Sequence, residues 1–97
     1  MIYILGRIPG DKDAYDRAEE RIRRQGKDCI NPSRITQIHG KLSLHTRLEI
    51  AITLLRACDT VYVLKGWTQS EESRLQRYVA QANGQRLVYE DASDALR

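Results

Sequence analysis

The feature that most constrains this chain is an alternation of two periods. Short strand-like runs at 2–5, 27–30, 60–64 and 86–89 are separated by segments whose apolar residues recur at helical spacing. A β-α-β-α-β-α-β order predicts a parallel sheet with right-handed crossovers, which place helices on both of its faces. The expected fold is therefore α/β, a three-layer α/β/α sandwich of Rossmann-like kind, with four strands in the order 2-1-3-4. Its switch point falls between the first and third strands. Ninety-seven residues support one core and no second domain. The domain is expected to span 1–90, followed by a polar tail at 91–97.

The local signals support each element. Ile2 to Leu5 is apolar throughout, as suits a strand buried on both faces, and Gly6 ends it. From Asp11 to Gln25 the apolar positions Ala14, Tyr15, Ala18 and Ile22 lie on one helical stripe, and Gly26 supplies the stop. A second helix runs from Ser43 to Ala57, with Leu44, Leu48, Ala51, Ile52 and Leu55 on its stripe and Ile50 and Leu54 widening it. So wide an apolar face suits burial on more than one side, in the core or against another subunit. A third helix runs from Ser70, its N-cap, to Asn83, with Glu71 and Glu72 in the first turn. Residues 33–42 show no period and read as a long loop containing a helical turn, a class of segment that often carries function.

Composition excludes several classes. Sixteen Lys and Arg against thirteen Asp and Glu leave a formal charge of +3, spread along the helices. That is no nucleic-acid footprint. No apolar run is long enough to span a membrane, and Met1 leads directly into the first strand without a signal-like segment, so a cytoplasmic protein is expected. Cys29 and Cys58 lack CxxC spacing and read as buried thiols; His39 and His45 lack metal-ligand spacing. Neither a metal nor a cofactor is expected.

Ligands of open α/β sheets bind at the carboxyl ends of the strands. The predicted topology brings Gly6-Arg7-Ile8-Pro9-Gly10 beside Lys65-Gly66-Trp67, with Asn31-Pro32 bordering the same edge. The stretch from Thr60 to Gln76, a strand stopped by Gly66 and followed by a capped helix, is the strongest single indication of a site. Gly6-x-x-x-Gly10 is neither a Walker loop nor GxGxxG, which argues against a nucleotide triphosphatase. Arg7 is suited to pairing with a phosphate and equally to an ordinary solvated loop. Two roles are open to Trp67, stacking on a base or sugar and packing against the protein. Ser70 is a helix cap whose neighbouring N–H groups can receive an anion. Asn31 either lines the pocket or forms the turn; Tyr3 is placed as a packing residue, and Arg74 faces pocket or solvent.

Gly6 with Pro9-Gly10, Asn31-Pro32, Cys58-Asp59, Gly66-Trp67, Ser70 and Arg74-Leu75 together resemble a family of short phage and bacterial proteins of unassigned function, related to nucleoside 2-deoxyribosyltransferases. The resemblance runs from Met1 to Tyr89. It implies a nucleoside or nucleotide pocket at the carboxyl edge, in a fold that assembles as homodimers or higher homo-oligomers. In the catalytic relatives, a glutamate on the helix after the third strand attacks the anomeric carbon, and an aspartate on the preceding helix holds sugar hydroxyls. Here the glutamate position aligns with Gln76 and the aspartate position with Ala51, with Glu49 the nearest acid. Attack on an oxocarbenium-like centre needs a carboxylate, whereas an amide can only hydrogen-bond.

The first expectation is therefore non-catalytic binding of a nucleoside or nucleotide-type ligand, of which phage-encoded sequestration of a nucleotide signal would be one use. The expected ligand-binding set is Gly6, Arg7, Pro9, Gly10, Asn31, Gly66, Trp67, Ser70 and Gln76, with no catalytic residue. A second reading is an N-glycosidase or deoxyribosyltransferase-like enzyme working through Glu71, Glu72 or Glu49. A third is a protein-interaction module with a vestigial pocket and a partner on the second helix.

Overall fold

The computed structural model describes residues 1–7, 12–34 and 43–90. Four strands, β1 (Ile2–Leu5), β2 (Cys29–Ile30), β3 (Thr60–Val63) and β4 (Arg86–Tyr89), form one sheet in the order β2-β1-β3-β4. Every pairing is parallel; Tyr3 lies opposite Ile30 on one side and Val61 on the other, and Val61 opposite Leu87. Among the described residues three long helices, α1 (Lys12–Arg24), α2 (Leu44–Arg56) and α3 (Glu71–Ala82), connect them, and a short 3-10 turn at Trp67–Gln69 precedes α3. The α/β fold and strand order expected from the alternation are those observed.

Side chains alternate across a strand, so each strand feeds two cores. Ile2, Ile4, Cys29, Tyr62, Leu64 and Val88 pack under the α1 stripe of Ala14, Tyr15, Ala18 and Ile22. Tyr3, Leu5, Val61 and Val63 pack on the opposite face with Leu55 of α2, Cys58, and Ala80 of α3. This is why β1 and β3 are apolar at successive positions: both of their faces are covered. The edge strand β4 keeps Arg86 exposed. The stripe of α2 is wider than what it buries, since Ala51 and Leu55 are buried while Leu48, Ile50, Ile52 and Leu54 are half-buried.

Caps set the helix starts. Ser43 Oγ accepts from the Thr46 N–H at 3.2 Å, and Ser70 Oγ from the Ser73 N–H at 3.3 Å. The carbonyls at the end of α2 are met from a distant segment, with Gln85 Nε2 donating to Leu55 O at 2.6 Å and Cys58 O at 2.7 Å. Among the described residues no helix is long and apolar enough to cross a membrane.

Two elements differ from expectation. The second strand is confined to Cys29–Ile30 because the Lys27 N–H donates to Ile22 O at the end of α1 and is lost to the sheet. The third strand does not run straight into a helix. Gly66, at φ +87°, turns the chain through the left-handed region, and the 3-10 turn then carries it to the Ser70 cap. Residues 32–34 are helical, whereas 35–42 of the expected loop and the 91–97 tail lie outside the described residues.

Candidate functional site

The parallel strands all end at one edge, and α2 and α3 both begin there. Along α3, residues four apart share a face, which aligns Glu72, Gln76 and Ala80 toward the sheet; along α2 the matching stripe is Arg47, Ala51 and Leu55. The two stripes grade from charged at the carboxyl edge to apolar below. At the top, Arg47 Nη2 donates to Glu72 Oε1 at 3.1 Å, with the side chains 24% and 19% exposed. At the bottom, Leu55 and Ala80 are fully buried.

Between these levels lies Gln76, only 2% exposed, whose Oε1 accepts a hydrogen bond from the Tyr3 hydroxyl at 2.9 Å. Tyr3 is wholly enclosed, and burial drives its phenol well above the usual value, with Cys58 and Glu72 pushing the same way. The hydroxyl is therefore a donor at any ordinary pH, and the amide oxygen is its acceptor. Ala51, where the resemblance places an aspartate, is buried one turn below Arg47. Of the three acids weighed as substitutes, Glu71 is 94% exposed beside Arg74, and Glu49 is 67% exposed and paired with His45. Only Glu72 is withdrawn from water near Tyr3.

Ser73 ties this face of the sheet to the other. Its side chain is fully buried and donates from Oγ to Gly6 O at 2.6 Å, fixing α3 on the end of β1. Gly6 must lack a side chain, since a Cβ there would lie 2.8 Å from Leu64 Cδ1 and 3.1 Å from the Tyr15 ring. Arg7 follows on the surface and donates from Nη1 to Gln69 Oε1 at 2.9 Å. On the α1 side, a cavity of about 270 Å³ is lined by Arg7, Arg17, Leu64, Lys65, Gly66 and Glu90, among others.

The expected residues thus separate. Gln76 and Ser70 belong to the α3 side, and Arg7 and Gly66 to the α1 side, with Gly6 between them. Ser70 serves as the cap, and Arg74 donates from Nη1 to Thr68 O at 2.5 Å, clamping the 3-10 turn. Trp67 packs on the α2/α3 core with its ring 6.3 Å from that of Tyr89 and the Arg77 guanidinium 5.4 Å from its centroid. Asn31 is enclosed as a turn residue. Its Nδ2 donates to Asp16 and Glu19, and its Oδ1 accepts from the Ser33 N–H and Oγ, which uses two donors and two lone pairs. Pro9 and Gly10 lie outside the described residues.

The Asn31 cluster is a structural network around a buried carboxylate. Burial alone would raise the Glu19 carboxyl, but hydrogen bonds from Asn31, Arg34 and Arg23 outweigh it and bring it from 4.5 to about 2. Cys29 and Cys58 are buried free thiols, pushed up by burial. Among the described residues no group of three His, Cys, Asp or Glu side chains could hold a metal ion.

Over residues 1–89 the sequence matches a family described as Domain of unknown function (DUF4406). The chain belongs to that family. No curated protein and no solved structure matches it. The DUF4406 match ends at the last residue of β4, so it takes in every strand and helix of the sheet and its cover.

Within this DUF4406 domain, sequence reasoning missed Arg47, Ser73 and Arg17 as residues of the edge, and placed Lys65 there without assigning it to the ligand-binding set. Arg47 was discoverable from its four-residue spacing to Ala51 and Leu55, which puts a cation on a core-facing stripe. Ser73 was obscured by the Ser70 cap that it also serves. Arg17 carries no local signal, being one of several arginines on α1.

Proposed function

We propose that this domain binds a nucleoside or nucleotide-type ligand at the carboxyl edge of its sheet without turning it over. The class of ligand rests on the resemblance to nucleoside 2-deoxyribosyltransferases. The observation that carries the absence of turnover is the buried Gln76 amide, hydrogen-bonded to Tyr3 at the position where that resemblance places a nucleophilic carboxylate. An amide has no charge to offer an oxocarbenium-like centre, but it recognises hydroxyls and ring heteroatoms well. Its Oε1 is engaged by Tyr3, and its Nε2 has no hydrogen-bond partner among the described residues, which leaves a donor for a ligand acceptor. The second departure, Ala51, removes the group that would hold the sugar for reaction. Sequestration of a nucleotide signal is a use that needs only binding.

Calorimetric titration with ribonucleosides, 2-deoxyribonucleosides and their 5′-monophosphates tests the reading. At least one should bind, with affinity falling about tenfold in Gln76→Met/Tyr3→Phe, which keeps the volume, removes the donor and leaves no unpaired Tyr3 hydroxyl. Absence of binding across the panel would sink the proposal. The enzyme reading retains one favourable observation, the withdrawal of Glu72 beside Tyr3, and it predicts free base in the same incubations, lost in Glu72→Gln.

A further inference from the structure

The cavity on the α1 side of the edge gathers three cations from three separate segments of the chain. Among the described residues, Arg7, Arg17 and Lys65 line it with one carboxylate, Glu90, one of whose oxygens already accepts the Lys65 backbone N–H at 2.8 Å. Further along α1, Arg23 pairs with Glu19 and Asp28, and Arg24 with Glu20, whereas Arg21 has no ion pair among the described residues. Arg17 has Asp13 four residues before it and Glu20 three after, both within helical reach, yet among the described residues it forms an ion pair with neither. The Lys65 ammonium likewise has no partner among the described residues. Arg7 is held by one hydrogen bond to Gln69, which fixes the guanidinium and leaves most of its five donors unused.

We infer that this cavity takes a phosphate group, and hence that the ligand is a nucleotide rather than a nucleoside. The inference rests on the nucleotide-type reading above and specifies which member of that class binds. Size supports it: at about 270 Å³ the cavity falls below the roughly 300–1,000 Å³ of sites that enclose a whole drug-sized ligand, so it suits one polar group of a larger molecule. Chemistry supports it too. Two guanidinium forks and an ammonium offer the bidentate and point-charge contacts that bind phosphoryl oxygens, and a dianion relieves the mutual repulsion of three cations. Gly66 brings backbone to the rim without a side chain in the way, and Arg7 on the rim directly follows Gly6, whose carbonyl accepts from Ser73 of α3.

The test compares each 5′-monophosphate with its parent nucleoside, and both with inorganic phosphate, by calorimetry on the full chain at low salt. Wild type is set beside Arg7→Gln/Arg17→Gln and a control, Arg56→Gln, at an exposed residue of α2. The monophosphate should bind at least about tenfold more tightly than the nucleoside, and that gap should vanish in the double variant and persist in the control. Inorganic phosphate binding that the double variant abolishes, with no nucleoside or nucleotide preferred over it, would uphold the cavity and overturn the nucleotide reading. Equal affinities of nucleoside and monophosphate, or a gap that survives in the double variant, would overturn the cavity and leave that reading intact. No binding of any probe would overturn both.

Discussion

The two sides of the sheet's carboxyl edge handle polar groups in opposite ways. On the α2/α3 side, Tyr3, Gln76, Ser73, Arg47 and Glu72 are withdrawn from water and joined by short hydrogen bonds. On the α1 side, Arg7, Arg17 and Lys65 stand exposed around a cavity and are mostly unengaged by the described residues. Buried polar groups are costly unless paired, so the first set has to be part of what holds the fold. Solvated cations cost little to keep and little to lose, so the second set is free to serve a ligand. Stability should therefore respond strongly to changes on the first side and weakly to changes on the second.

Gly6, at the junction of the two sides, should give the largest effect. Gly6→Val drives a side chain into Leu64 and Tyr15, and urea denaturation should show a loss of about 3 kcal/mol. Gln76→Leu comes next: the Tyr3 hydroxyl is left buried without an acceptor, at about 2 kcal/mol, and adding Tyr3→Phe should restore part of it. A full loss in the double variant would mean that the two residues are not coupled.

Acid should act through Glu19. Its carboxyl is depressed in the folded state, so its stabilisation is complete above the unfolded value near 4.5 and is lost as pH falls from there toward about 2. The expected loss is about 2 kcal/mol, discounted because Arg23 and Arg34 are more than half exposed and their charges are screened. Glu19→Gln should flatten the stability curve over that interval. The smallest effect belongs to Arg7→Gln and Lys65→Gln, within about 0.5 kcal/mol of wild type. A loss comparable to that of Gln76→Leu would erase the contrast between the two sides.

The sheet was legible because its signals are local. The cap at Ser70 and the helical stripes of α1 and α2 each declare themselves within about a dozen residues. The carboxyl edge, where the strands end and the second and third helices begin, was legible from topology as well. What was not legible were contacts made across the chain: Tyr3 meets Gln76 from 73 residues away, and Ser73 meets Gly6 from 67. Trp67 and Asn31 were ambiguous for the same reason. Whether a tryptophan stacks on a ligand or on Tyr89, and whether an asparagine lines a pocket or joins Asp16 to Ser33, depends on neighbours that composition does not name. The 3-10 turn carried no Gly or Pro of its own to announce it beyond Gly66.

The central claim is a nucleotide pocket without a nucleophile. The most direct measurement incubates wild-type protein with nucleoside 5′-monophosphates, follows free base by chromatography, and records the melting temperature of the same mixtures. Binding without turnover should raise the melting temperature and leave the nucleotide intact, because a ligand of the folded state stabilises it by mass action. Free base accumulating with wild type and abolished by Glu72→Gln would contradict it.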